Sequence, residues 1–271
     1  MLVFRMDEQN FGEGERDGAR IVTGQGLKVD FDEFAPDSQT LGLWHLHDGA
    51  CQTEGTGLAD ASGAGHDLTN HGAESVEAGY RFAGAGQYLQ GAFAGQLARS
   101  ALTLECWVRA WATAAGTVGA LGEYAATNPI FLLRALRHAT PASSYILGTY
   151  WDGTSYNAQW TGAAADAVLV GPASWHVAVV MANGSPLRLF VNGVLVAASA
   201  ANVAQNASAG DFALRLGQRV TGQYPAACIL DEVRLSAAAR YAANFPVARY
   251  GEGRRAAARG PGLEVMAGAI P

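Results

Sequence analysis

The sequence predicts an all-β chain folded as an antiparallel β-sandwich, and three observations carry that prediction. Apolar side chains recur with a period of two, the spacing that turns one face of a strand toward a core. The apolar runs are separated by turn dipeptides, among them Asp152-Gly153, Asn183-Gly184 and Asn192-Gly193, and Asn-Gly supplies the positive φ angles of a tight hairpin. The runs follow one another at intervals of about 8–12 residues with no long amphipathic helix between them, the pattern of a sandwich or barrel.

Each element follows from its own residues. "ALTLECWVRAW" sets Leu102, Leu104, Cys106 and Val108 against Thr103, Glu105, Trp107 and Arg109, a half-buried strand. "YILGTYWDGTSYNAQW" is a hairpin about Asp152-Gly153, and "WHVAVVMANGSPLRLFVNGVLVAAS" holds three strands joined by the two Asn-Gly turns. "DFALRLGQ" and "AACILDEVRLS" are two further strands. Helical signal is confined to short turns, one at Ser236–Tyr241 with Ser236 as N-cap and one around Phe93–Ala98. The strand pattern defines one domain at residues 39–250. Residues 1–38 form an N-terminal extension with one strand in "ARIVTGQGLKVDF", and the Gly/Ala/Arg/Pro-biased residues 251–271 form a tail without a core. Such arms are either plain ends or segments that pack on a neighbouring subunit.

Composition narrows the function. Hydrophobic residues make up 49% of the chain, enough for a large core, and 34 glycines suit many tight turns. A net charge of −6 speaks against nucleic acid, whose binders cluster Lys and Arg on one face. Arg5, Asp7 and Glu8 interrupt any apolar signal segment at the N-terminus, and no run approaches the roughly 18 apolar residues of a membrane span. A cytoplasmic or virion-associated chain is therefore expected. Cys51, Cys106 and Cys228 are an odd number at wide spacing, which fits neither a disulfide framework nor a metal knuckle and points to a reducing compartment at synthesis.

Two carboxylates stand side by side at Asp231 and Glu232. Glycoside hydrolysis needs two carboxyl groups about 5–9.5 Å apart across one bond, and neighbours on a regular strand point to opposite faces. Alternation therefore sets Glu232 with Arg234 and places Asp231 among Ile229, Val233 and Leu235, where a bare charge needs compensation. Glu105 has Thr103 and Trp107 at the positions two residues away, so it has no acidic partner on its face. His45 and His47 share one side of a strand and read as a solvated face, and His176 reads as structural.

The order of these runs resembles a known family. "LGLWHLHDGACQTEGTGLADASGAGHDLTNHG" looks like the opening of a laminin-G-like jelly roll, of the concanavalin A-like lectin/glucanase class. "YRFAGAGQYLQG", "LTLECWVRAW", "WHVAVVMANGSPLRLFVNGVLVAAS" and "ILDEVRLS" are similar to its later strands, in order. The resemblance implies a jelly-roll sandwich, a fold that serves adhesins, lectins and hydrolases alike. The Glu-x-Asp-x-x-Glu strand of the glucanase members does not occur here. The resemblance also implies that the loop "LADASGAGHD" lies near the last strand, where Asp60, Asp67 and Asp231 would offer oxygen ligands to calcium. The alternative is that Asp60 and Ser62 cap a Gly-rich turn through their own backbone. "ARYAANF" is similar to ends seen in bacteriophage tail-associated and bacterial surface copies of the domain.

The surface candidate is aromatic. Tyr150, Trp151, Tyr156 and Trp160 are concentrated in one hairpin, with Tyr124 and Arg134 in the preceding segment. Aromatic rings stack on the C–H faces of sugars while the hydroxyls stay wet, but β-sheets use the same residues for cross-strand packing. Because Tyr150 and Trp151 point opposite ways, at most half of the set shares one face. The expectation is a non-catalytic module for carbohydrate or a surface partner. An assembly protein working through its terminal arms is the alternative, with a glycoside hydrolase third.

Overall fold

The structure is a computed structural model that describes residues 14–16, 19–22, 28–31, 33–47, 54–76, 79–84, 86–93, 99–109, 118–125, 130–151, 154–170, 174–204 and 212–247. Residues 34–247 form one compact unit, and residues 1–33 with 248–271 form another. The second unit holds a three-stranded antiparallel sheet of β1 (Gly14–Arg16), β2 (Ala19–Val22) and β3 (Lys28–Phe31), so "ARIVTGQGLKVDF" supplies two strands where one was expected. Cys51, the Asp152-Gly153 turn, residues 94–98 and the tail 251–271 lie outside the described residues.

The large unit is a sandwich of two antiparallel sheets. The first runs β17 (Val194–Asn202), β16 (Pro186–Val191), β15 (Trp175–Ala182), β10 (Ala101–Arg109), β19 (Ala227–Ser236), β8 (Gly79–Ala83) and β7 (Glu74–Val76). Its long central strand β19 pairs with β8 through its first half and with β4 (Thr40–Trp44) through its second. The second sheet runs β14 (Ser155–Thr161), β13 (Tyr145–Trp151), β12 (Ile130–Leu136), β11 (Val118–Ala125), β18 (Phe212–Leu216), β9 (Tyr88–Phe93), β6 (Leu68–His71) and β5 (Gly57–Leu58).

Alternation builds the core as expected. Leu104, Cys106 and Val108 of β10 and Val177, Val179 and Met181 of β15 meet Phe131, Leu133, Ile146, Leu214 and Leu216 of the facing sheet. Each such side chain contributes roughly 1.5–3 kcal/mol by leaving water. A Cβ on Gly148 of β13 would collide with Val179 of β15, so the absence of a side chain there lets the sheets close. Cys106 and Cys228 are buried in this core, and burial, with the nearby Glu105 charge, pushes the Cys106 thiol up to about 12.

Three sequence expectations change. The Ser236–Tyr241 segment is not helical: Ser236 closes β19, and its hydroxyl accepts a hydrogen bond from Arg240 Nε at 2.5 Å. The helix that does form, α1 (Ala163–Val170), is an Ala-rich stretch of high helix propensity. The polar face of β10 is not exposed, because residues 102–108 are buried throughout. Tyr241 and Phe245, stacked at 3.6 Å, cover this side of the sheet against Ala178, Val180 and Phe190. Among the described residues no helix is long and apolar enough to cross a membrane.

Candidate functional site

The register of the second sheet assembles a surface on its outer side. Thr69, Gln90, Arg215, Glu123, Leu132, Thr149 and Asn157 oppose one another strand by strand from β6 to β14, forming one transverse row. At the β12–β14 end the row opens into a groove of about 450 Å³, lined by Leu132, Arg134, Thr149, Trp151, Ser155, Asn157 and Arg219. Leu132 supplies buried apolar surface and Trp151 a half-buried ring, while Ser155 and Asn157 are exposed. Thr149 Oγ1 donates to Asn157 Oδ1 at 2.9 Å and Asn157 Nδ2 to Ser155 Oγ at 3.1 Å, so the polar wall is tied together.

Guanidinium groups dominate the electrostatics of this face. Arg219 Nε pairs with buried Glu123 at 2.8 Å, and the Val220 N–H donates to the same carboxylate at 2.5 Å. Arg215 lies 4.0 Å over the Tyr88 ring and donates to Gln90. Arg134 lies 5.1 Å from the Tyr224 ring and 5.9 Å from the Tyr145 ring. Tyr224 holds φ +52, a conformation that costs a bulky residue on the order of 1–3 kcal/mol and fixes its ring between Arg134 and Arg219.

The aromatic candidates divide as the pleat requires. Trp151 and Arg134 line the groove. Tyr150 and Tyr156 turn into the core, 6.2 Å apart, and Trp160 packs against that core, so these three belong to sheet packing and not to the platform. Tyr124 pairs in register with Phe131 and Leu214, and its side chain lies outside the described residues. The sequence reading missed Leu132, Thr149, Ser155, Asn157 and Arg219. Period-two counting from Trp151 reaches Thr149 and the hairpin register reaches Asn157, but nothing local points to Arg219, which arrives from a distant turn.

The calcium candidates do not assemble. Asp60 accepts from the N–H groups of Leu43 (3.0 Å), Ser62 (2.9 Å) and His66 (3.1 Å) and from the Ser62 hydroxyl (2.8 Å). Burial works to raise its pKa, yet these donors outweigh it and hold the carboxyl below the usual range. Asp67 accepts from the Asp60 N–H at 2.9 Å. Asp60 therefore takes the turn-capping role, its lone pairs filled by donors. Among the described residues, Asp60, Asp67 and Asp231 are not a set whose ligand atoms lie within 4.8 Å of one another.

Asp231 and Glu232 overturn the strict alternation expected of their strand. Trp107 opposes Asp231 while Glu105 opposes Arg234, so two residues of β19 face one of β10, and Glu232 sits at φ +45. This bulge keeps Leu230 and Val233 both in the core and turns both acids outward. His47 Nδ1 lies 2.9 Å from Asp231 Oδ1 and 3.3 Å from Glu232 Oε1, and His45 Nδ1 lies 2.8 Å from Glu232 Oε1. The two histidines are thus half-buried partners of the acid pair and not a solvated face. Burial, the largest influence, raises the Glu232 pKa; the His45 contact opposes it and Asp231 reinforces it. Glu105 lies on the same outer side, bound by His176 Nε2 (2.9 Å), Arg234 Nε (2.8 Å) and the Tyr241 hydroxyl (2.8 Å).

Residues 82–244 match a laminin-G-type family model described as the concanavalin A-like lectin/glucanases superfamily, more than half of the chain. The chain belongs to that superfamily. No curated protein matches this concanavalin A-like chain. Among solved structures it is similar to the receptor binding domain of botulinum neurotoxin C/D mosaic serotype, at 9% identity and a TM-score of 0.54, covering 75% of this chain and 49% of that one. The serotype D ligand binding domain, solved with N-acetylneuraminic acid, matches at 9% identity and a TM-score of 0.54, covering 75% and 48%. The serotype D/C VPI 5993 binding domain matches at 8% identity and a TM-score of 0.56, covering 75% and 50%. The chain spans about half the length of these structures, and identity this low shows a shared fold alone.

Proposed function

We propose that this chain is a non-catalytic binding module that recognises a carbohydrate or cell-surface partner through the groove on β12–β14. The observation that carries the reading is Trp151, set beside an apolar floor at Leu132 and a wall of Thr149, Ser155 and Asn157. An aromatic plane next to fixed donors and acceptors is the chemistry that holds a sugar ring. The binding domains with the same fold give indirect support: one was solved with N-acetylneuraminic acid and another with rat synaptotagmin II. Hydrolysis has no part in this reading, because the acids that do converge, Asp231 and Glu232, are buried on the other sheet against His45 and His47. A setting on a phage tail or bacterial surface belongs to the same proposal.

The test is a glycan array probed with the native chain and with Trp151→Ala. The variant is expected to lose about 2 kcal/mol of binding, roughly 30-fold, with its thermal midpoint kept. Binding unchanged by the variant would place the site elsewhere. A second reading, assembly through the terminal segments, is favoured by the grouping of residues 1–33 and 248–271 as a unit apart from the sandwich. Light scattering of the full chain against one lacking residues 1–38 and 251–271 decides it: fewer subunits per particle on truncation supports assembly, and equal oligomeric state removes it.

A further inference from the structure

We infer that the groove selects an acidic glycan and that Arg134 is the group that meets its anion, an inference that rests on the groove being the binding site. The chain carries a net charge of −6, yet the outer face of the second sheet has the opposite sign. Among the described residues that register or direct contact places there, Arg134, Arg215 and Arg219 stand with one carboxylate, Glu123. Glu123 is committed to Arg219 at 2.8 Å. Arg215 donates to Gln90 and to the carbonyl oxygens of Arg219 (3.0 Å) and Val220 (3.2 Å).

Arg134 is different. No carboxylate among the described residues pairs with it, and its buried Nε–H has no hydrogen-bond partner. What holds it is aromatic: the Tyr224 and Tyr145 rings lie 5.1 and 5.9 Å from the guanidinium carbon. Ring faces orient a guanidinium and offset part of its lost hydration, but they leave its N–H donors unmatched. A half-buried cation without an anion is a costly arrangement. An arriving anion would neutralise the charge and accept from the terminal Nη–H donors, through the paired N–H···O contacts that a planar guanidinium makes with two oxygens of one group. A neutral sugar stacked on Trp151 would satisfy neither. The strained φ of Tyr224 is consistent with a ring held in place for this purpose. The anion is a uronate-type carboxylate or a sulfate ester, since both present two oxygens to the fork.

The experiment is isothermal titration of the full chain with three sets of oligosaccharides of matched length: neutral cello-oligosaccharides, oligogalacturonates, and carrageenan fragments bearing sulfate without carboxylate. One acidic set is expected to bind at least about tenfold more tightly than the neutral set, with affinity falling as salt rises. Arg134→Gln is expected to erase that preference, a loss of roughly tenfold or more, and Arg134→Lys to restore only part of it because it keeps charge without the fork. The salt dependence of the native chain reads the same charge if a variant fails to fold. Neutral sugars bound equally well, with no salt dependence, overturn the inference and leave the groove as a glycan site. No binding by any set overturns both.

Discussion

Glu232 shows how one backbone angle redirects chemistry. At φ +45 it adds a residue to β19 and brings its carboxylate to the same side as that of Asp231, so two acids that a regular strand would separate both reach His47. The pH consequences of the buried acids on this side have opposite signs. Burial works to raise the Glu105 pKa, but the His176 hydrogen bond and the charges of His176 and Arg234 outweigh it and hold the carboxyl low. Its stabilising contribution is therefore present above the unfolded value of about 4.3 and lost as pH falls through the folded one. Glu232 is raised, so its contribution is present below about 4.3 and fades as pH rises toward the folded value. Thermal midpoints measured from pH 3 to 7 are expected to show Glu232→Gln gaining on the native chain as pH rises and Glu105→Gln losing ground. Parallel pH profiles would contradict the assignment. At neutral pH Glu105→Gln is expected to cost about 3–5 kcal/mol, because it leaves the buried Arg234 without its carboxylate. Asp60→Ala is expected to cost about 1–3 kcal/mol through its unmatched donors, and by the same amount in chelator and in millimolar calcium. A loss seen only with calcium would restore the metal reading of that loop.

Elements differ in how openly the sequence declares them. The β16–β17 hairpin was legible because Asn192 and Gly193 adopt φ +46 and +74, the paired positive angles that Asn-Gly favours, whereas in the β15–β16 turn only Gly184, at φ +73, takes a positive angle. Gly193→Ala is expected to cost more than about 1 kcal/mol on denaturant unfolding, since a Cβ there is strained and collides with the Phe245 carbonyl oxygen. The bulge in β19 was not legible, because "ILDEVRLS" keeps a strand's composition and no Gly marks the irregular residue. The burial of the polar side of β10 was equally hidden. It depends on Tyr241 and Phe245 of an irregular segment folding back over the sheet, a long-range contact that periodicity does not encode. The pleat showed in advance that Tyr150 and Trp151 point opposite ways, and the structure shows which is which, Tyr150 in the core and Trp151 on the groove. Arg219 was out of reach, since its place depends on pairing with Glu123 of β11 and on the Tyr224 ring of the irregular segment before β19.

At the scale of the molecule, the two sheets divide the work. The first turns its outer side into a buried polar layer of Glu105, His176, Arg234, Asp231 and Glu232, closed over by the segments around Phe34 and Tyr241. The second leaves its outer side open, with guanidinium groups in excess of carboxylates and a groove at its β12–β14 end. On the proposed function, the second sheet is the binding face of the sandwich. Hydrogen–deuterium exchange of the full chain, with and without a saturating acidic oligosaccharide, tests this most directly. Protection is expected in residues 130–136, 145–151 and 155–161 and in the turn at 217–224, with no change in β15 or β19. Protection centred on residues 229–245, with the β12–β14 strands unaffected, would contradict it.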